Sequence, residues 1–446
     1  MKIISIRLYV IFLGMLFLTS CASGHHKLLY REKPAFYAYI FGDLQSNRID
    51  IENNADVYAT PASCQKIITA LLAYKTFGSD YFYETKLYTK KNKGETQDLL
   101  IEFSGDPTLT SEDLIKLLTP MKNSTIKGKI ILDASLFKTP AYSTNIMIGD
   151  TGTKYGQPVS SMNIDQNLIN IKITPTRVGR LAKISNDSNH RINSAITTTS
   201  EQSSVKLFWD EDRVKAEGNI NPNDNFLEFK LSPKKIDNYI LYKIQRVMKL
   251  LKINGKVYIV RNKSQLPSNL VLLNTVKSES LSNIMPPAMK KSDNLVFDSL
   301  YLKIVHSQNP DGIDDWSKGD KVIKLLINNY FSIDMEKALF VDGSGLSRYN
   351  RVQPRQLFAL LKQGYAIKEF VTALPSPGDE NSTLEYRSNL SNNIKAKTGS
   401  MLGINCSCGY SIKNKNPKVF VFMTNSFAPS SQEMVTVIDQ FINNNT

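Results

Sequence analysis

Ser63 and Lys66 stand three residues apart. On a helix that spacing brings both side chains to one face about one turn apart, within mutual reach. A serine hydroxyl is a poor nucleophile until a neighbour takes its proton, and a lysine can do this once burial and nearby cations lower its pKa. Two further clusters follow: Ser292-Asp293-Asn294, directly after Lys290 and Lys291, and Lys397-Thr398-Gly399-Ser400 near the C-terminus. The Ser292 hydroxyl can relay a proton to a leaving amine, and the Asn294 amide can hydrogen-bond an amide of a bound molecule. Lys397, on a strand, would supply positive charge for a carboxylate. Gly399 would let another backbone approach that strand closely, because no side chain intervenes. Singly, the clusters read as a helix cap with a surface lysine, a polar turn and a strand start. Spacing alone leaves that reading open beside the chemical one, in which Ser63 is a nucleophile and Lys66 its base, and the order of the three clusters is the context that bears on the choice.

Positioning these residues requires a helix, a loop and a strand, and the chain supplies each in turn. Residues 36–42 and 47–52 alternate as two strands around a turn at 43–46, so a hairpin opens the folded part. Pro61 precedes an apolar run to Leu72, which predicts a buried helix beginning near Ser63. Residues 81–235 change character, with short β-like stretches such as 127–133 and 168–173 among Asn, Ser, Thr and Lys. Helical periodicity returns from 236, alternation at 419–423, and an amphipathic stretch at 432–442 closes the chain. The expected organisation is an α+β body formed by 36–80 and 236–446, interrupted by a β-rich insertion over 81–235 that forms two subdomains.

The 446 residues can bury a sizeable core, and 41% hydrophobic with 22% charged residues is ordinary for a folded soluble chain. Lys2 and Arg7 precede an apolar run from Leu8 to Leu18, too short to span a bilayer and expected to be a signal peptide over 1–20. Leu18-Thr19-Ser20-Cys21 resembles the bacterial lipobox, which implies acylation of Cys21, a tether over 21–35 and an exported, periplasmic protein held on a membrane, the outer membrane being favoured because Ala22 is not acidic. After Cys21 only Cys64, Cys406 and Cys408 remain, an odd count that leaves a free thiol. The four histidines, His25, His26, His190 and His306, are scattered, so neither a metal site nor a Ser-His-Asp triad is expected. The net charge of +14 is spread in small groups without interleaved aromatics, which argues against nucleic acid and for anionic cell-wall or head-group partners.

The trio of Ser63-x-x-Lys66, Ser292-Asp293-Asn294 and Lys397-Thr398-Gly399 resembles the signature of penicillin-binding proteins and class A β-lactamases. More than two hundred residues separate Lys66 from Ser292, far more than a compact β-lactamase needs. With Phe103-Ser-Gly-Asp-Pro-Thr-Leu109, Tyr155-Gly-Gln-Pro158 and Asp342-Gly-Ser-Gly-Leu-Ser-Arg348, the chain is similar to the D-alanyl-D-alanine carboxypeptidase/endopeptidase family of class C low-molecular-mass penicillin-binding proteins. The resemblance implies a serine transpeptidase/β-lactamase-like fold, an antiparallel sheet flanked by helices, with β-rich domains inserted after the nucleophile's helix. It implies acylation of Ser63 by a D-alanine carbonyl of peptidoglycan stem peptides, with no cofactor, and β-lactam antibiotics as covalent inhibitors. Ser292 and Asn294 would assist, Lys397, Thr398 and Ser400 would bind a terminal carboxylate, and the backbone N–H groups of Ser63 and Ser400 would form the oxyanion hole. A β-lactamase-like hydrolase and a catalytically silent wall-binding lipoprotein are the alternatives. Two positions depart from the family pattern, Cys64 beside the nucleophile and Gln157 where alanine is common. Asp342-Gly-Ser-Gly345 lacks the form of a nucleophile elbow and is expected to be a structural turn.

Overall fold

The computed structural model describes residues 35–92, 95–137, 141–143, 145–308, 316–412, 416–427 and 430–446. The expected signal peptide, Cys21 and the tether up to residue 34 lie outside them. Among the described residues no helix is long and apolar enough to cross a membrane.

A five-stranded antiparallel sheet organises the body, in the order Ile394–Met401, Ile404–Ser411, Lys418–Asn425, Phe36–Asp43, Ile49–Asn53. The opening hairpin therefore pairs with the end of the chain, Phe36 opposite Asn425 and Asp43 opposite Lys418. Strand Ile404–Ser411 is buried at every position, which requires cover on both faces. Alternate residues supply the two covers. On one face Val419, Val421, Met423, Cys406 and Cys408 join the helical core around Gln65–Phe77. On the other, Tyr39, Phe41, Phe420 and Phe422 pack on Val437, Ile438 and Phe441 of the C-terminal helix Ser431–Asn445. Tyr39 stacks on Phe422 with ring centroids 5.2 Å apart.

The same helix is fastened to the segment that leads into strand Ile394–Met401. Arg387 Nε donates to both Asp439 carboxylate oxygens at 2.9 and 2.7 Å, in a pair whose side chains are 12% and 7% exposed. Asp439→Ala would leave a guanidinium with little water and no partner, so unfolding free energy should fall by about 3–5 kcal/mol. A urea midpoint unchanged from the parent would refute this, and replacing both partners by leucine should recover much of the loss.

The insertion departs after Tyr83, which still lies in the body's core, and carries its own core from Leu87 onward. A five-stranded mixed sheet has the order Asn254–Val260, Thr125–Asp133, Glu95–Glu102, Glu84–Asn92, Val271–Lys277, and two three-stranded sheets complete the region. The expected boundary at 235/236 is displaced. Helix Ile236–Leu251 buries Tyr239, Ile240 and Ile244 in the insertion's core, and strands 254–260 and 271–277 form the two edges of its large sheet. The chain rejoins the body only at helix Leu281–Lys291, whose Leu281, Met285 and Met289 belong to the body's core. Amphipathic periodicity identifies a helix but not the core it faces, which is why the return of helical pattern at 236 places the boundary too early.

Candidate active site

Pro61 leads into a 3-10 turn, Ala62–Cys64, from which helix Gln65–Phe77 continues. Ala62 takes φ 46, a left-handed conformation that is unfavourable for a residue with a Cβ and persists where surrounding structure enforces it. Two glycines let neighbouring backbone close on this turn. A Cβ on Gly399 would lie 2.7 Å from Ser63 N and 2.9 Å from Pro61 O, and one on Gly345 would lie 1.9 Å from Ala62 O. Strand 394–401 and the Asp342–Gly345 turn thus pack against the backbone of residues 61–63 from two sides.

Ser63 is half-buried, whereas Lys66 is completely buried. The three N–H directions of Lys66 Nζ go to Ser63 Oγ at 3.0 Å, Asn294 Oδ1 at 2.6 Å and the Ser344 carbonyl at 2.6 Å. Asn294 Oδ1 and the Ser344 carbonyl only accept, so in the neutral amine both must keep their N–H. The lone pair is left pointing at Ser63, the one partner with a proton to give. Burial, then the positive charge of Lys397, lowers the Lys66 pKa to about 7, against the pull of Asp298, Asp342 and Asp293.

Sequence reasoning missed Asp298 and the role of the Asp342 turn. Asp298 lies four residues beyond Asn294 on helix Asn294–Gln308, and its Oδ1 accepts from Gly343 N at 3.0 Å and Ser344 N at 2.7 Å. Asp342 accepts from Gly345 N, Ser347 N and Asn350 Nδ2. The turn is structural, as expected, but it also delivers the Ser344 carbonyl to Lys66. Burial and mutual repulsion push the Asp298 carboxyl well above the usual carboxylate range. The i, i+4 spacing of Asn294 and Asp298 was the available signal.

Ser292 ends helix Leu281–Lys291 in a left-handed conformation (φ 55, ψ 44), and its hydroxyl makes no hydrogen bond to Ser63 or Lys66. Asp293 accepts from Val296 N at 3.2 Å and from Gln166 of the insertion at 3.4 Å. Asn294 Nδ2 donates to the Tyr155 carbonyl at 2.8 Å, so the insertion abuts this motif at the stretch that carries Gln157. The Gln157 Oε1 is buried without a partner.

On the opposite wall Lys397 is not presented to solvent. It is fully buried, with Nζ donating to the Thr398 carbonyl at 2.7 Å, and burial lowers its pKa to about 8. Thr398 Oγ1 donates to Thr383 Oγ1 at 2.7 Å, and the exposed Ser400 Oγ lies 3.4 Å from Ser431 Oγ. Cys64 and Cys408 both approach the Lys397 carbonyl, at 3.4 and 3.9 Å, while Cys406 meets Thr60 O at 3.5 Å. All three are free and buried, and burial pushes the Cys406 and Cys408 thiols up, so they serve as packing groups behind the site. Among the described residues no three His, Cys, Asp or Glu side chains gather as a metal would require.

A serine at a helix start, hydrogen-bonded to a completely buried lysine and closely approached by a glycine-bearing strand, is the arrangement of a serine hydrolase of the penicillin-binding class. The chain belongs to the D-Ala-D-Ala carboxypeptidase 3 (S13) family, whose profile matches residues 29–445. It is 26% identical over 425 residues to the D-alanyl-D-alanine carboxypeptidase DacB of Haemophilus influenzae, covering 89% of this chain and 87% of that protein. It is 24% identical to the penicillin-sensitive carboxypeptidase A of Dictyostelium discoideum, over 95% of this chain and 89% of the relative. The fold matches the crystal structure of penicillin-binding protein 4 from Haemophilus influenzae with a TM-score of 0.80 at 23% identity, over 92% of this chain and 96% of that one. A predatory peptidoglycan endopeptidase from Bdellovibrio bacteriovorus matches with a TM-score of 0.55 at 17% identity, over 92% and 94%.

Proposed function

We propose that this serine peptidase of peptidoglycan hydrolyses D-Ala-D-Ala termini, D-Ala-diaminopimelate cross-links, or both, through an acyl-enzyme on Ser63. The convergence of Ser63, Asn294 and the Ser344 carbonyl on a completely buried Lys66 carries the reading. Neutral Lys66 takes the Ser63 proton as Oγ attacks the penultimate D-alanine carbonyl. The N–H groups of Ser63 and Ser400 receive the oxyanion, where one donor is typically worth roughly 100- to 1000-fold in rate. Ser292 gives its proton to the leaving amine and takes one from the Lys66 ammonium in exchange, which restores the neutral base, and Asn294 holds the substrate amide. Lys397 contributes charge from within the strand, beside the Thr398 and Ser400 hydroxyls. Water then releases the acyl group. A silent scaffold would have no use for a buried ammonium that costs folding energy.

The test is mass spectrometry of the chain from residue 22 onward, after benzylpenicillin and then cross-linked muropeptides. A stable adduct on the Ser63 peptide, with release of D-alanine or of cleaved cross-links, is expected. Folded protein giving neither adduct nor product would sink the reading, and fast turnover of the adduct would favour the β-lactamase-like alternative.

Because the base must be neutral, the acylation rate should climb with pH, roughly tenfold per unit below about pH 7, and level off above it. Stopped-flow acylation by a chromogenic cephalosporin between pH 5 and 9 reads this directly; a flat profile would remove Lys66 as base. Export and acylation of Cys21 complete the proposal. Incorporation of radiolabelled fatty acid in cells, lost in Cys21→Ser, is the expected result.

A further inference from the structure

The direction of one hydrogen bond leaves a bound carboxylate short of a donor. Thr398 Oγ1 donates to Thr383 Oγ1 at 2.7 Å, so the proton that Thr398 would offer a carboxylate is spent on a second hydroxyl. Lys397 is buried, with Nζ on the Thr398 carbonyl, and brings charge without an exposed N–H. Thr383 accepts the bond from Thr398 and, among the described residues, gives its own proton to no protein acceptor. A hydroxyl polarised by an incoming hydrogen bond is the stronger donor onward.

Thr383 is also well placed to use that proton. It is exposed, while Leu384 beside it is fully buried, which fixes the segment. Thr383 N donates to the Lys290 carbonyl at 3.1 Å, two residues ahead of Ser292, and Lys290 Nζ pairs with Asp379 of the same segment at 3.2 Å. The residue therefore spans from the Ser292 wall to the Thr398 wall with its main chain held and its hydroxyl proton free.

We propose that Thr383 is a substrate-binding residue whose hydroxyl donates to the free carboxylate next to the scissile amide, with Thr398 polarising it from behind. The assignment rests on reading the Ser63–Lys66 centre as the acyl-enzyme site, and its test separates the two. Wild type, Thr383→Val and Thr383→Ser would be compared on an N-acylated D-Ala-D-Ala peptide and on the same peptide amidated at its C-terminus, with benzylpenicillin labelling of Ser63 measured in each preparation. Thr383→Val should lower kcat/KM for the acid roughly tenfold or more, through KM, as expected for a lost hydrogen bond to a charged group. The amide should be affected less than about twofold, and Thr383→Ser should restore the acid. Equal losses on acid and amide, or an acid unaffected by Thr383→Val in preparations that label Ser63, overturn the assignment alone. A wild type that forms no Ser63 adduct overturns the site reading and the assignment with it.

Discussion

Lys66→Met should lower the rate of Ser63 acylation by a factor of roughly 10^2 to 10^4, the usual worth of a positioned general base, while leaving the fold intact. Two opposing effects bear on the fold. Removing the amine orphans Asn294 Oδ1 and the Ser344 carbonyl, each at a cost of about 1–3 kcal/mol. It also relieves the burial of an ammonium whose pKa has been forced from 10.5 to about 7, a penalty on the order of a few kcal/mol near neutral pH. These roughly cancel, so the melting temperature should stay within a few degrees of the parent. The sign of the pH dependence supplies a second readout. Between about pH 7 and 10.5 the unfolded chain holds a proton at this position that the folded chain lacks, so the parent gains stability as pH rises through that window. The methionine variant should lose that slope. Acylation within tenfold of the parent would remove Lys66 from the mechanism, and outright unfolding would mean that the hydrogen bonds outweigh the buried charge.

The three motifs were legible because each is contiguous, and a spacing of three residues fixes a shared helical face without knowledge of the fold. The β-rich insertion and the strands at both ends of the body were legible from alternation. What could not be read is how segments distant in sequence meet. Lys66 and Ser344 are separated by 278 residues, and nothing local to Asp342-Gly-Ser-Gly345 announces that its carbonyl will hold an amine. Thr383 escaped notice for the same reason, lying in an irregular segment with a common residue type. Lys397 was expected to present its charge to the cleft, yet it is buried because both faces of its sheet are covered by helices. Its field therefore acts through the strand and on Lys66, whose proton affinity it helps to lower. The departure at Cys64 is absorbed in the same layer: the thiol fills a buried position against the Lys397 carbonyl, while Ser63 Oγ keeps its hydrogen bond to Lys66 at 3.0 Å.

Gly399→Ala should do almost as much damage as loss of the base, by a different route. The position is not reserved for glycine by backbone conformation, since Gly399 is absent from the glycines with positive φ. It is reserved by space. The added methyl would stand 2.7 Å from Ser63 N, 2.9 Å from Pro61 O and 3.0 Å from Ala62 Cβ, two of them backbone atoms that no rotamer change can move aside. Either the strand or the Ser63 turn must retreat, which would part the N–H groups of Ser63 and Ser400 that are proposed above to receive the oxyanion. A misplaced oxyanion donor should slow acylation by roughly 100- to 1000-fold, with an overpacking cost of about 1–3 kcal/mol in stability. Gly403→Ala is the matched control. It lies in the turn that follows the same strand at φ 76 with nothing within 4 Å of the added methyl, so it is strained but far from crowded. It should lose about 1 kcal/mol of stability from the left-handed backbone and keep its acylation rate. If both variants acylate at the parental rate, the close approach of strand to nucleophile is not what aligns the two donors; if both slow equally, strand stability and not the Gly399 contact controls the chemistry.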